Sequence, residues 1–320
     1  MDAVVACNEG IAPSYGNDEL TKTLNDAFSN LFETDVAVIP CTSGTAANAL
    51  SLSLIAGPTN AICAHEHSHV YQDECNAPEF FTGGARVSPI HGADGKLDLG
   101  ALSASFSRKG DYHAAQPSAA TFSQATESGS VYSLAEIKKV AGICRANELK
   151  LHMDGARFSN AVVSLGCSAA EMTWKAGVDM LSFGATKNGC MAAEAIVLFD
   201  PSLADDAMYR AKRSGQLLSK MRFVTAQLLA FLDNDLWLDN ARVANNAATS
   251  LAEGLSNKSC AQLASVPQAN MLFVRLDVDA VAALEKAGLA GYVDAKGMMR
   301  LCTSWRTTES DIQAFLNCLT

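Results

Sequence analysis

Short apolar runs, each bounded by polar or turn-forming residues, recur along the N-terminal part of the chain. They fall at 35–40, 61–66, 85–90, 119–124, 150–154, 180–185 and 195–200. Several are apolar throughout, the pattern of strands covered on both faces. Between many of them apolar residues recur at helical spacing instead. Ser133-x-x-Glu136 and Ser168-x-x-Glu171 read as capping boxes, in which a serine and a glutamate accept the free backbone N–H groups of a helix start. Strands alternating with helices predict an α/β unit with a mostly parallel seven-stranded sheet and helices on both faces. Ligands of such sheets sit at the carboxyl ends of the strands.

The pattern changes after about residue 203. Positions 203–255 read as mainly helical, followed by a strand at 271–276, a helix at 280–287, a strand pair within 292–304 and a last helix that Thr308-x-x-Asp311 can cap. The expected organisation is a large α/β domain over 1–235 and a smaller C-terminal α+β domain over 236–320.

Composition narrows the classes of partner. Of 320 residues 49% are hydrophobic and 18% charged, which suits a large core and buried subunit contacts. A net charge of −10 argues against nucleic acid or an anionic membrane as the main partner. No basic segment followed by an apolar one opens the chain, and no apolar run is long enough to span a bilayer, so the cytoplasm is the expected compartment. The ten cysteines include no C-x-x-C and read as reduced thiols.

Candidate chemistry gathers where predicted strands end. Lys187 follows the run Met180–Ala185 among small residues, Gly184, Ala185, Thr186 and Gly189, an unusual setting for an ammonium. Burial favours a lysine's neutral amine, the form that condenses with a carbonyl; an ion pair with Asp154 is the competing reading. Asp154 closes the strand before it in "LHMDGAR", as a ligand or as a turn residue, and Arg157 can reach the same crevice or cap a helix. Ser43, Gly44 and Thr45 precede an Ala/Leu helix, whose N-terminal N–H groups can bind phosphate or simply be capped. His65, His67 and His69 recur at period two, which on an extended strand would align three metal ligands. Nothing nearby completes such a site, so no metal is expected; stacking on a flat cofactor is the other use, best placed at His69.

A phosphate loop, an acid for a ring nitrogen and a lysine for an aldehyde are together what pyridoxal 5'-phosphate (PLP) requires. With "NEGIAPSYGNDELT", "SGTAANAL", "HSHVYQDECNAPEFFTGG", "HMDGAR", "LSFGATKNG", "GQLLSKMRF" and "MRLCTSW", the chain resembles the low-specificity L-threonine aldolases of the β-eliminating lyase group. The resemblance implies the fold type I, PLP-dependent transferase-like architecture of the aspartate aminotransferase kind. It implies retro-aldol cleavage of L-threonine, L-allo-threonine and related L-β-hydroxy-α-amino acids to glycine and an aldehyde. It also implies a homodimer or homotetramer with active sites at subunit interfaces. By position, Lys187 forms the Schiff base, Asp154 pairs with the pyridine nitrogen, and Ser43, Gly44 and Thr45 hold the phosphate, with Arg222 as a further phosphate ligand. His69 stacks on the ring and orients the base or water. Arg157 and Arg300 bind the substrate carboxylate, and Tyr15 approaches an active site, its own or the partner's.

Two departures from the family's pattern stand out. Glu127, in "SQATESG", occupies the place where many relatives have a histidine, which makes it a candidate base and alters how the β-hydroxyl is held. The family's opening Ser-Asp-Asn/Thr segment precedes "NEG" and does not appear, so a catalytically impaired PLP-binding subunit is one alternative expectation. Other fold type I reactions, β-elimination or transamination, and a metal-dependent histidine cluster are the rest.

Overall fold

The computed structural model describes residues 1–289 and 291–319. Its main sheet contains β1 (Ala37–Cys41), β2 (Asn60–His65), β3 (Arg86–Ile90), β4 (Gln116–Ser123), β5 (Lys150–Gly155), β6 (Met180–Gly184) and β7 (Glu194–Leu198). The strand order is β1-β7-β6-β5-β4-β2-β3. β7 runs antiparallel to both neighbours, and the other pairings are parallel. The mostly parallel sheet expected from the apolar runs is therefore present, with one strand reversed.

Both faces of the sheet are covered, which is why its strands lack polar alternation. In β7, Ala195 and Val197 join the main core, whereas Ile196 and Leu198 pack into a second apolar cluster on the opposite face. β1 divides the same way, with Val38 on one side and Ala37 and Ile39 on the other. The capping boxes at Ser133/Glu136, Ser168/Glu171 and Thr308/Asp311 all form and fix three helix starts. Among the described residues no helix is long and apolar enough to cross a membrane.

A smaller antiparallel sheet follows, made of β8 (Ala261–Leu263), β9 (Met271–Leu276), β10 (Tyr292–Val293) and β11 (Met298–Cys302) in the order β10-β11-β9-β8. No apolar run marks β8, which is short and incompletely buried. The long helix Leu236–Ser256 serves both sheets. Its Trp237 belongs to the main core, while Ala248, Leu251 and Leu255 belong to the core beneath the small sheet.

The adjoining ends of β5 and β6 are unusually close. A Cβ on Gly155 would lie 2.6 Å from Leu181 Cδ1 and 2.7 Å from the Ser182 carbonyl oxygen. One on Gly184 would lie 2.7 Å from Ala156 Cα and 2.8 Å from the Gly155 carbonyl oxygen. Beneath them Phe28 and Phe183 meet edge to face at 5.1 Å, and Phe158 stacks on Trp237 at 6.2 Å. The aromatic layer fixes the strand ends from below, and the glycines let the backbones converge above it. Gly184→Ala pushes a methyl group into backbone that cannot retreat and is expected to cost about 1–3 kcal/mol. Gly142→Ala, in an open helical position with nothing within 4 Å, is expected to add about 0.5–1 kcal/mol. Urea midpoints that move both variants the same way would contradict this packing.

Candidate active site

Asp154 lies near the carboxyl end of β5, buried, with both oxygens engaged. Oδ1 accepts the backbone N–H of Ala156 at 3.0 Å, and Oδ2 accepts from Asn48 Nδ2 at 2.9 Å. Asn48 comes from the helix Gly44–Ile55 that follows β1. The same Nδ2 donates to Glu74 Oε1 at 2.8 Å, and that oxygen lies 2.9 Å from His69 Nδ1. His69 begins the short helix His69–Gln72 after β2. One hydrogen-bonded series, Asp154–Asn48–Glu74–His69, thus runs across the ends of several strands.

Glu127 approaches from the loop after β4. Its Oε1 accepts the backbone N–H of His69 at 2.8 Å and the Ser123 hydroxyl at 2.7 Å, while the buried Oε2 has no partner among the described residues. Burial, with the neighbouring Asp154 charge, raises the Glu127 pKa above the ordinary glutamate value. Burial raises Glu74 as well, only partly offset by its hydrogen bonds to His69 and Asn48.

Lys187 sits in the 3-10 turn Thr186–Asn188 after β6. Asn188 Nδ2 donates to the Trp237 carbonyl and Asn240 Nδ2 to the Asn188 carbonyl, both at 2.8 Å, so the turn is tied on both sides to the long helix. Glu194, at the start of β7, accepts the N–H of Ala185 at 3.1 Å; burial raises its pKa too. Lys187, Asp154, Glu127, His69, Gly44, Arg157 and Arg300 all line one cavity of about 600 Å³, a size suited to a cofactor and a small substrate.

The profile described as beta-eliminating lyase matches residues 1–278. The chain belongs to the beta-eliminating lyase family. It is 42% identical over 306 residues to the low specificity L-threonine aldolase of Pseudomonas aeruginosa, covering 95% of this chain and 88% of that one. It is 40% identical over 312 residues to another from a Pseudomonas strain, covering 97% and 90%. Among solved structures, Leishmania major threonine aldolase superposes with a TM-score of 0.88 at 26% identity, covering 99% of this chain and 93% of that one.

Several expectations drawn from the residues take a different form in the structure. Lys187 is exposed to the cavity instead of partly withdrawn from water, because its small neighbours do not cover it. Among the described residues no ion pair joins it to Asp154, whose oxygens are taken by Asn48 and Ala156. The three histidines do not align: β2 ends at His65, whose Nε2 meets the Gly92 carbonyl oxygen at 3.1 Å and whose Nδ1 accepts the His67 N–H at 3.1 Å. The cluster that does form is His69, Glu74 and Asp154, with ligand-type atoms within 4.8 Å of one another. The Asn48 amide already occupies two of its oxygens. Ser43 caps its helix, accepting the Ala46 N–H at 3.2 Å, and Thr45 follows Gly44 in the first turn.

Arg222 and Tyr15 are not brought to this cavity within the chain. Arg222 lines a larger cavity of about 810 Å³ with Asp18, Leu20 and residues of the N-terminal helix. Tyr15 is exposed, with Lys212 Nζ 4.4 Å from its ring centre. Asn48, Glu74, Ser123 and Glu194 carry no motif signal in the sequence; Asn48 matters through Glu74 and Asp154, distant in the chain, and the other three through loop contacts that no helix or strand spacing announces.

The Glu127 shift has a definite sign. A carboxyl whose pKa is raised by folding contributes stability that is fully present below its unfolded value, near 4.5, and lost as pH rises through the folded value. Glu127→Gln removes the buried charge. The stability difference between Glu127→Gln and the parent chain should therefore move in the variant's favour between pH 4.5 and 8 in urea unfolding. A difference that stays constant or moves the other way would mean that Glu127 is not disfavoured as an anion.

Proposed function

We propose that this chain is a PLP-dependent aldehyde-lyase. It cleaves L-threonine, L-allo-threonine and related L-β-hydroxy-α-amino acids to glycine and an aldehyde, acetaldehyde in the case of threonine. The observation that carries this reading is Asp154 and Lys187 entering one cavity from adjoining strand ends, with a helix N-terminus and two arginines on the same walls. The relatives named low specificity L-threonine aldolase point the same way.

The residues fit PLP. A buried carboxylate, already oriented by Asn48 and Ala156, suits a ring N–H. Gly44 leaves open space where a Cβ would stand, so a phosphate can approach the helix N–H groups. When bound, PLP supplies an aldehyde carbon for an amine and a ring that accepts the electrons released at Cα. Lys187 offers its Nζ as the amine that holds the aldehyde. Ser43, Gly44 and Thr45 hold the phosphate with backbone and hydroxyl donors. Arg157 and Arg300 grip the substrate carboxylate with planar guanidinium forks, which fixes rotation about the N–Cα bond. His69 and Glu127 flank the place for the β-hydroxyl, where one of them takes its proton directly or through water.

Arg222 and Tyr15 belong, in this reading, to sites completed across the interface of a homodimer or homotetramer. The mainly apolar cavity that Arg222 lines supports such a contact. The cytoplasm is the compartment, supported by ten free thiols.

Purified protein loaded with PLP should release glycine and acetaldehyde from L-threonine. Pyruvate formation or amino-group transfer in place of them would show a different reaction. Lys187→Ala should lower turnover by several orders of magnitude. Arg157→Lys and Arg300→Lys lose the fork but keep the charge. Each should raise KM by about 10–100-fold, the equivalent of about 1.5–3 kcal/mol for a hydrogen bond to a charged group, with kcat changed less. An unchanged KM in both would remove the arginines from the carboxylate site.

A further inference from the structure

Glu74 has no role in the assignments above, yet its side chain is 0% exposed and sits between two groups that do. Its Oε1 receives Asn48 Nδ2 at 2.8 Å and faces His69 Nδ1 at 2.9 Å. The orientation of the Asn48 amide decides the protonation of both. Its NH₂ group has carboxylate oxygens on two sides, Glu74 Oε1 and Asp154 Oδ2. Turned over, its carbonyl oxygen would confront both acceptors, so the NH₂ must face them. Accepting from Asn48 favours Oε1 as the carbonyl-type oxygen of Glu74, because the hydroxyl oxygen of a carboxyl group is the poorer acceptor. The hydrogen between Oε1 and His69 is therefore assigned to Nδ1. Among the described residues no protein group hydrogen-bonds the opposite nitrogen, Nε2, and His69 lines the cavity.

We propose that Glu74 is a positioning residue that keeps the hydrogen on His69 Nδ1 and so presents a free Nε2 to the β-hydroxyl of the substrate, while Asn48 locks the pair to Asp154. The proposal rests on the retro-aldol reading for the identity of the hydroxyl, but not for the tautomer. In the proton step the substrate O–H bond breaks, the proton goes to Nε2, and the electron pair stays on the substrate oxygen. The resulting imidazolium is held by the Glu74 carboxylate. The same hydrogen bond raises the His69 pKa above the ordinary histidine value, with burial opposing it.

Other charged groups also face His69. Glu127 comes from the loop after β4, Asp154 from β5 and Lys187 from the turn after β6, with His67 and Asp73 on its own segment. Arg157 and Arg300 line the same cavity. An altered titration on replacing Glu74 must therefore be read against variants at Asn48 and Glu127.

The test is imidazole ¹⁵N NMR on the full chain, with and without PLP, using His69→Gln to assign the His69 signals among six histidines. The parent chain should show His69 with hydrogen on Nδ1 in its neutral form. Glu74→Gln, nearly isosteric, should keep that tautomer and lower the titration midpoint. Glu74→Leu should lose the tautomer preference. Asn48→Ser should lower the midpoint less than Glu74→Gln, and Glu127→Gln should leave the tautomer unchanged. In turnover, Glu74→Leu should reduce kcat for L-threonine by about 10–100-fold, the size of loss found when the hydrogen-bonding partner behind a metal-bound histidine is removed, with a smaller change in KM and a displaced pH profile. A parent chain with hydrogen on Nε2, or a Glu74→Gln variant with unchanged titration, overturns the proposal. If the parent chain fails to cleave L-threonine while its His69 tautomer still depends on Glu74, the retro-aldol reading falls and the positioning role stands.

Discussion

A carboxylate held out of water at the end of a strand is the constraint on which the site depends. An ion withdrawn from water loses several kcal/mol of hydration unless donors replace it. Asp154 has two such donors, the Asn48 amide and the Ala156 N–H, and each fixes a different part of the protein around it. Asn48 anchors the helix after β1. The Ala156 N–H requires the chain to turn sharply at Gly155, and that turn is possible only because Gly155 and Gly184 let β5 and β6 close to contact distance. Lys187 inherits its position from the same convergence.

Strand ends could splay apart if polar groups between them were loose. His152 prevents this within the sheet. Its two ring nitrogens meet Thr121 of β4 at 2.8 Å and Ser182 of β6 at 2.9 Å, and burial lowers its pKa to about 4. It therefore remains a neutral bridge across three strands at any ordinary pH. The cavity holds charge of both signs. Glu74, Glu127 and Asp154 gather around His69, while Lys187, Arg157 and Arg300 line the same space. A ligand carrying both an amine and a carboxylate meets groups of both kinds there.

Much of this architecture is legible in the sequence, because doubly covered strands must be apolar without interruption. The runs at 150–154 and 180–185 mark β5 and β6 closely for that reason. β4 starts earlier than its apolar run, at Gln116: Gln116 and Pro117 pair with Asn60 and Ala61 at the start of β2, and the register then shifts past Ser118, so no apolar pattern marks these first positions. β7 begins with a buried glutamate that no hydrophobic pattern would include. Asp154 and Lys187 were legible because a charge closing an apolar strand is conspicuous. Asn48 lies in an Ala/Leu helix and Glu74 in an acidic, polar stretch, so only tertiary contact distinguishes them from an ordinary helix residue and a surface acid. Arg222 and Tyr15 carry motif signals but line no part of this cavity, a separation the linear sequence does not encode.

The proposed function stands on Lys187 as the amine that holds the cofactor. Incubation with PLP, reduction with borohydride and mass mapping of the digested protein test this directly. The reduced pyridoxyl group is expected on the peptide containing Lys187, and is expected to be lost on prior incubation with an excess of amino acid substrate. Stoichiometric labelling of another lysine, with Lys187 unmodified, would contradict it.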